Sequence, residues 1–134
     1  PAAMALGAEG IQAGTLFALT EESSASKEFK KRCTELAEGD TMLCLKKIAP
    51  TRLIKNALYT KLAEAEDKGA TADELREILG RAASKRGIFE GDMESGELEI
   101  GQIASAIKTI KPVSEVMKEL ISGFEKAKER VAFL

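Results

Sequence analysis

The chain has no histidine and no tryptophan, and aromatic residues make up only 4% of it. Without histidine, the chain cannot by itself form a Cys/His zinc site, a Ser-His-Asp triad or a Cys-His dyad. The shortage of aromatic side chains argues against a stacking platform for single-stranded nucleic acid. Lys and Arg number 20 against 22 Asp and Glu, and this net charge of -2 favours neither nucleic acid nor an anionic membrane as a partner.

Cysteine is also scarce, with only Cys33 and Cys44, whose spacing suits no metal site. Two thiols without a metal motif are typical of free cysteines in a reducing compartment, so the sequence predicts a cytoplasmic protein. No apolar run approaches the ~20 residues needed to span a bilayer, and we expect no membrane association. The 134 residues suffice for one domain with a modest core.

The least charged and most glycine-dense stretch is "ALGAEGIQAGTLF", Ala5 to Phe17. Before it, residues 1–7 are typical of a helix end with Gly7 as its C-terminal cap. The apolar, uncharged run Ile11–Leu19 predicts a strand buried on both faces, as in a parallel sheet. A buried strand without obvious neighbours, directly after the last turn of a helix, indicates a sequence cut inside a larger fold, with Pro1 as the cut end.

From Thr20 onward the pattern predicts mainly helices, with one further strand candidate at Thr41–Leu45 and a loop over residues 80–96. The first predicted helix is Ser26–Ala37, and the second is opened by Pro50 or Thr51, has Ile54, Leu58 and Leu62 inward and stops at Lys68-Gly69. A capping box at Thr71–Glu74 opens the third, and the fourth has Ile103, Ile107 and Ile110 on one face. The last helix begins at about Ser114 and has these residues inward: Val116, Met117, Leu120, Ile121 and Phe124.

Gln12, Gly14 and Thr15 are candidates for an anion site. Glycine has no Cβ, so backbone N–H groups can approach an anion closely, and the threonine hydroxyl adds a donor. In (β/α)8 barrels the loops after the seventh and eighth strands commonly form a phosphate site. The alternative is that Gly14 only permits tight packing, and these residues alone leave both interpretations open.

Three segments of the chain follow the order and separation of motifs in one known family. "LGAEGIQAGTLF" with "TEES" fits the pattern Leu-Gly-Ala-(Glu/Asp)-Gly-(Val/Ile)-Gln-x-Gly-Thr-x-Phe followed by Thr-x-Glu-Ser. "APTRLIKN" fits Arg-x-hydrophobic-Lys/Arg-Asn, and "EGDMESGELEIGQIASAIKTIKPVSEVMKEL" fits a closing Gly-Asp-x-x-x-Gly-x-x-x-x-Gly-Gln segment. Over nearly its whole length the chain resembles the nitronate monooxygenase and enoyl-acyl-carrier-protein reductase II family of FMN-dependent TIM-barrel enzymes.

The resemblance implies an α/β parent fold, a (β/α)8 TIM barrel, of which this chain would be the C-terminal part, mostly α with one or two short strands. Residues 1–20 would be the end of the barrel, and residues 21–134 a helical extension that covers it. Gln12, Ala13, Gly14 and Thr15 map onto the family's FMN-phosphate segment, and Gln102 would either touch the flavin or pack the lid. The family's catalytic histidine would lie outside this chain, which has none.

The implied function is that of an FMN-dependent oxidoreductase. In the reductase branch, NADPH or NADH reduces FMN, which then reduces an enoyl thioester on acyl carrier protein in fatty acid synthesis. In the monooxygenase branch, FMN oxidises alkyl nitronates with dioxygen. "FALTEESSASKEFK" is more similar to the reductase branch. A homodimer also agrees with the family, whereas the chain alone is expected neither to bind FMN tightly nor to turn over.

A second hypothesis is a non-enzymatic helical interaction module in which the Gly-Thr pair serves packing. It explains the helices but not the ordered glycines. Upstream coding sequence with further strand-helix units and a histidine would favour the enzyme hypothesis. A start codon at the position of Pro1 would exclude the enzyme hypothesis.

Two charged clusters remain. The acidic stretch "EGDMESGELE" does not match a calcium loop and is typical of a solvated turn. Lys27, Lys30, Lys31 and Arg32 form a basic cluster, which is either a solvated helix face or a surface for an acidic carrier protein or a phosphorylated nucleotide.

Overall fold

A computed structural model describes residues 1–132 of the protein, which are mostly helical with two short strands. The α-helices in this range are α1 (Ala2–Ala5), α2 (Thr15–Ala18), α3 (Lys27–Thr34), α4 (Ala57–Asp67), α5 (Ala72–Leu79) and α6 (Val113–Val131), and the strands are β1 (Thr41–Cys44) and β2 (Thr51–Ile54). A π-helical turn covers Lys85–Phe89, and a 3-10 turn covers Gln102–Ala106. No helix among residues 1–132 combines the length and the apolar composition needed to cross a membrane.

Strand β2 lies between β1 and an extended segment at residues 98–100. It pairs with β1 in antiparallel register, Thr41 opposite Ile54 and Cys44 opposite Thr51. On its other edge, the Ile54 amide donates to the Leu98 carbonyl at 2.9 Å, and the Arg52 carbonyl accepts from the Ile100 amide at 3.2 Å. The predicted strand at Thr41–Leu45 is therefore confirmed, apart from its last residue.

The prediction of a helix that opens at Pro50 or Thr51 was wrong for its first turn. Thr51–Ile54 form β2 because both edges of this short run find backbone partners, which outweighs the suitability of Pro50 for a helix start. Helix α4 begins only at Ala57, where the Asn56 side chain accepts a hydrogen bond from the Tyr59 amide at 2.9 Å. Its buried face carries Leu58 and Leu62, as predicted.

The core consists of two clusters. The first joins the α2–α3 region to the segment after residue 97 and contains Leu19, Ala25, Phe29, Cys33, Leu36, Ile54, Leu98, Ile100 and Ala104. The second joins β1 and its turn to α4 and α5 and contains Cys44, Leu45, Leu53, Leu58, Leu62, Leu75 and Ala83. Successive strand residues point to opposite faces, so Leu53 and Ile54 bring one strand into both clusters.

The strand predicted at Ile11–Leu19 is not formed. Residues 11–13 have no regular structure, Thr15–Ala18 form α2, and Ile11 is 75% exposed. A strand needs a neighbour for its backbone hydrogen bonds, and among residues 1–132 none lies beside Ile11. The helix end expected at residues 1–7 is present as α1, and Gly7 has the positive φ of +94° that favours glycine.

The helix face predicted from Ile103, Ile107 and Ile110 is also corrected. Only a 3-10 turn forms there, because the end of this segment is held as extended backbone by a bridge between Thr20 and Lys111. The β-branched residues Ile107, Thr109 and Ile110 suit extended backbone. Helix α6 begins at Val113, close to the predicted Ser114, and of the five residues predicted to face inward only Val116 is fully buried.

Helix ends follow the sequence closely elsewhere. Ser26 caps α3 by accepting from the Phe29 amide at 3.2 Å. The predicted capping box is present at α5: the Thr71 hydroxyl accepts from the Glu74 amide, and the Glu74 carboxylate accepts from the Thr71 amide. Gly69 ends the α4 region with a φ of +87°.

Both cysteines are free and buried. Burial raises the pKa of the Cys33 thiol to about 12. Burial, together with the hydrogen bond to the Glu66 carboxylate at 3.3 Å, raises the pKa of the Cys44 thiol to about 11. The folded chain therefore holds both residues as neutral, shielded thiols.

We expect Ellman's reagent at pH 8 to label neither thiol of the native chain within minutes, and both thiols in denaturant. Both thiols have folded pKa values above the unfolded value of about 8.5, so the unfolded chain loses their protons first as pH rises. The stability that comes from burying neutral thiols is therefore complete below about pH 8.5 and is lost as pH rises toward 11. Urea midpoints across this pH range measure the loss. Rapid labelling of the native chain would contradict the burial of both thiols.

Candidate functional site

The three segments that carry the motifs are joined by hydrogen bonds around β2. The Thr15 hydroxyl accepts from the Gly101 amide at 3.1 Å, and the Arg52 carbonyl accepts from the Ile100 amide. The Asn56 side chain donates to the carbonyls of Met93 at 3.0 Å and Gly96 at 2.9 Å. The motifs therefore meet in space although they are far apart in the chain.

Thr15 and Gly101 lie in close contact because Gly101 has no side chain. A Cβ at Gly101 would lie 2.5 Å from the Thr15 hydroxyl oxygen, a distance that no real contact tolerates. Since this oxygen is the acceptor for the Gly101 amide, the hydroxyl proton of Thr15 can point to another acceptor. The closing segment thus fixes the position of Thr15 and leaves the hydroxyl proton of Thr15 free to donate.

The predicted phosphate segment lies on an open surface. Gln12 and Gly14 are exposed and Ala13 is half-buried. No heavy atom comes within 4 Å of a Cβ built at Gly14. Within residues 1–132, none of the hydrogen bonds has the amide of Gln12, Ala13, Gly14 or Thr15 as its donor. Four N–H groups and one hydroxyl proton are therefore available to a ligand there.

A cavity of about 410 Å³ lies beside Gly14 and Thr15. Its lining contains Gly14, Thr15, Ala18, Arg52, Ile88, Glu99, Ile100 and Gly101. Gln12 and Ala13 are outside the lining, and so is the exposed Gln102. Of the four predicted residues, the structure therefore brings Gly14 and Thr15 to the cavity and leaves the other two beside it.

Arg52 is a lining residue that the sequence did not single out as part of a site. Its Nη1 donates to the backbone oxygen of Thr41 at 3.0 Å and to the Thr41 hydroxyl at 3.2 Å. These contacts hold the guanidinium on Thr41, and Arg52 is the one basic residue among the described residues that line the cavity. Its place in the motif "TRLIKN" was the available signal. Within residues 1–132, Glu99 is the one acidic residue in the same lining.

The acidic turn at the start of the closing segment is structural. The Asp92 carboxylate accepts from the amides of Glu94 at 3.1 Å and Ser95 at 2.8 Å. Gly96 packs directly on Gly87, with no room for a Cβ at either residue. In the part of the chain that the structure describes, no three His, Cys, Asp or Glu side chains come together as a metal site. The turn therefore orients residues 97–101.

Comparison with known families places the chain. The family model described as nitronate monooxygenase matches residues 1–123. The chain belongs to the nitronate monooxygenase family. A probable nitronate monooxygenase of Staphylococcus saprophyticus subsp. saprophyticus is 33% identical over 90 residues, which cover 64% of this chain and 25% of that protein. The family resemblance of the three motifs is thereby confirmed.

Solved structures give the same result at the level of the fold. FabK from Thermotoga maritima is 30% identical, with a TM-score of 0.86 over 98% of this chain and 42% of that one. A point mutant of the same protein gives 27% identity and a TM-score of 0.79, covering 98% of this chain and 39% of that one. The chain therefore spans about a quarter of the curated relative and about two fifths of these structures.

Proposed function

We propose that this chain forms the C-terminal part of an FMN-dependent oxidoreductase built on a (β/α)8 barrel, and that Gln12–Thr15 hold the FMN phosphate. One observation carries the proposal: unused backbone donors and the Thr15 hydroxyl lie together beside a cavity, with Thr15 fixed by Gly101. The family match and the longer relatives support it. Residues 1–20 would then end the barrel, and residues 21–134 would cover it.

The donor set fits a phosphate dianion. Gly14 exposes its backbone, so the N–H groups can reach phosphate oxygens without steric hindrance. Thr15 can donate its hydroxyl proton, and Arg52 is the basic residue in the lining of the same cavity. Glu99 is the acidic residue of the lining, and an anion would avoid its carboxylate. The residues present would thus hold and orient the phosphate.

The proposed reaction is the reduction of an enoyl thioester on acyl carrier protein at the expense of NADPH or NADH. The similarity of "FALTEESSASKEFK" to the reductase branch favours it over nitronate oxidation. Bound FMN would supply the redox chemistry. The chain has no histidine, so its residues hold and orient the group and do not take the role of the family's histidine. A homodimer in the cytoplasm completes the proposal, and the two free thiols support a reducing compartment.

The phosphate site is tested by comparing FMN with riboflavin, which lacks the phosphate, in NMR titrations of the labelled chain. We expect FMN to shift the amide signals of Gly14 and Thr15 with an affinity in the millimolar range, and riboflavin to leave them unchanged. Thr15→Val should weaken FMN binding about tenfold, because one charge-assisted hydrogen bond is lost. Thr15→Ser keeps the hydroxyl and should bind like the parent chain.

Equal shifts with FMN and riboflavin, or FMN shifts only outside residues 12–15, would overturn the phosphate assignment. The helical interaction module would then be the better hypothesis. Saturation at micromolar FMN would instead contradict the expectation that this chain alone binds the flavin weakly.

A further inference from the structure

We propose that a groove between α3 and the segment before α6 binds a phosphorylated small molecule through its lysines. This basic groove has a volume of about 530 Å³ and is lined by Glu21, Lys27, Lys30, Lys31, Thr34, Lys108 and Ile110. None of these residues lines the cavity at Gly14 and Thr15, so the proposal stands apart from the FMN-phosphate site.

Two of the four ammonium groups are fixed in place. Lys30 is only 8% exposed, and its Nζ donates to the backbone carbonyls of Glu21 at 3.1 Å and Ser23 at 2.8 Å. The Lys108 Nζ donates to the Leu36 carbonyl. An ammonium has three N–H donors, so Lys30 keeps one and Lys108 keeps two for a further acceptor. Their carbonyl partners are neutral and leave both positive charges uncompensated.

The other two ammonium groups lie on the exposed part of the same wall. Lys27 and Lys31 are one helical turn apart on α3 and therefore share a face. Within residues 1–132, none of the four lysines is in an ion pair. Glu21 supplies the single carboxylate of the lining, whereas Glu28 packs beside Gly91. The basic groove therefore presents three positive charges in excess.

The shape favours a small phosphorylated ligand over the surface of an acidic protein. The volume lies in the range of about 300–1,000 Å³ typical of small-molecule sites. The Lys30 ammonium is recessed, so a compact anion can reach it more easily than a side chain on a broad protein face. Ile110 and the lysine methylene groups offer apolar contact for the rest of the ligand. Lysine is a common point-charge partner of phosphate.

The test is isothermal titration of the 134-residue chain with inorganic pyrophosphate at low salt. We expect saturable binding to one site, weakened about tenfold or more by the double substitution Lys27→Ala/Lys31→Ala. These side chains are exposed, so far-UV circular dichroism should be unchanged. The matched control, Lys118→Ala/Lys126→Ala on the exposed face of α6, removes the same charge and should leave the affinity within about twofold.

Further titrations identify the source of the phosphate. Tighter binding of ADP than of pyrophosphate, with no binding of adenosine, would assign the basic groove to a nucleotide diphosphate. Equal binding of ADP and pyrophosphate would show that only the phosphates are recognised.

Three results would overturn the proposal. The first is the absence of saturable pyrophosphate binding, and the second is an equal loss of affinity in both double variants. The third is binding of an oligoglutamate peptide, sensitive to Lys27→Ala/Lys31→Ala, without binding of pyrophosphate. That result would replace the small ligand with an acidic protein partner.

Discussion

Gly96→Ala is expected to lower the free energy of unfolding by about 3 kcal/mol or more, the upper range of overpacking effects. A Cβ at Gly96 would lie 2.3 Å from the Gly87 Cα, 2.5 Å from the Gly87 nitrogen and 2.4 Å from the Asp92 carbonyl oxygen. All three are backbone atoms, so relief requires the π-helical turn and the acidic turn to separate. That separation would also weaken the hydrogen bond from Asn56 to the Gly96 carbonyl.

Gly123→Ala is the matched control. Gly123 lies in the middle of α6, and a Cβ there meets nothing within 4 Å. Alanine should stabilise the helix by about 0.5–1 kcal/mol, because it loses less backbone entropy than glycine. Urea denaturation of the two variants and the parent chain gives the comparison. Equal stability of both variants would show that Gly87 and Gly96 are not packed as described.

Asn56→Ala should cost about 3 kcal/mol, because it removes a helix cap and leaves two carbonyl groups without their donor. Asn56 Oδ1 accepts from the Tyr59 amide at 2.9 Å, and Nδ2 donates to Met93 and Gly96. One side chain therefore starts α4 and holds the acidic turn. For comparison, Thr71→Ala removes a cap on the exposed end of α5 and should cost about 1 kcal/mol.

Asn56→Asp separates the two roles of this side chain. It keeps the acceptor for Tyr59 but turns a carboxylate oxygen toward two carbonyls, which disfavours its charged form and raises its pKa in the folded state. Relative to the parent chain, the deficit in stability should be largest at pH 7, shrink as pH falls through the raised folded pKa, and be smallest below about pH 4, where the protonated acid can donate again. Urea midpoints at both pH values measure this. A deficit independent of pH would mean that Nδ2 contributes little.

The sequence predicts best what depends on neighbouring residues. Ser26, Gly69 and the Thr71–Glu74 box act on backbone groups within a few positions, and each lies where its pattern indicated. The motif order was sufficient to identify the family, because it spans nearly the whole chain. Both helix capping and motif spacing depend only on the order of residues along the chain, so a single sequence is enough to predict them.

Partners distant in the chain could not be predicted in this way. Thr51–Ile54 form a strand because β1 and residues 98–100 pair with its two edges. Ile11–Leu19 has the composition of a strand but no such neighbouring segments among residues 1–132. Thr15 was predicted as a site residue, but its contact with Gly101 joins positions 86 apart. Arg52 and Lys108 reach their cavities for the same reason, and a single sequence does not show which distant segments meet.

Strand β2 contributes one residue to each of the two core clusters. Leu53 and Ile54 are adjacent, so a slip of one residue would exchange their faces and place each side chain in the wrong cluster at the same time. The register of β2 is therefore fixed by packing in both clusters at once. We expect the two clusters to unfold together, because the loss of either cluster removes packing that fixes the register of β2 in the other.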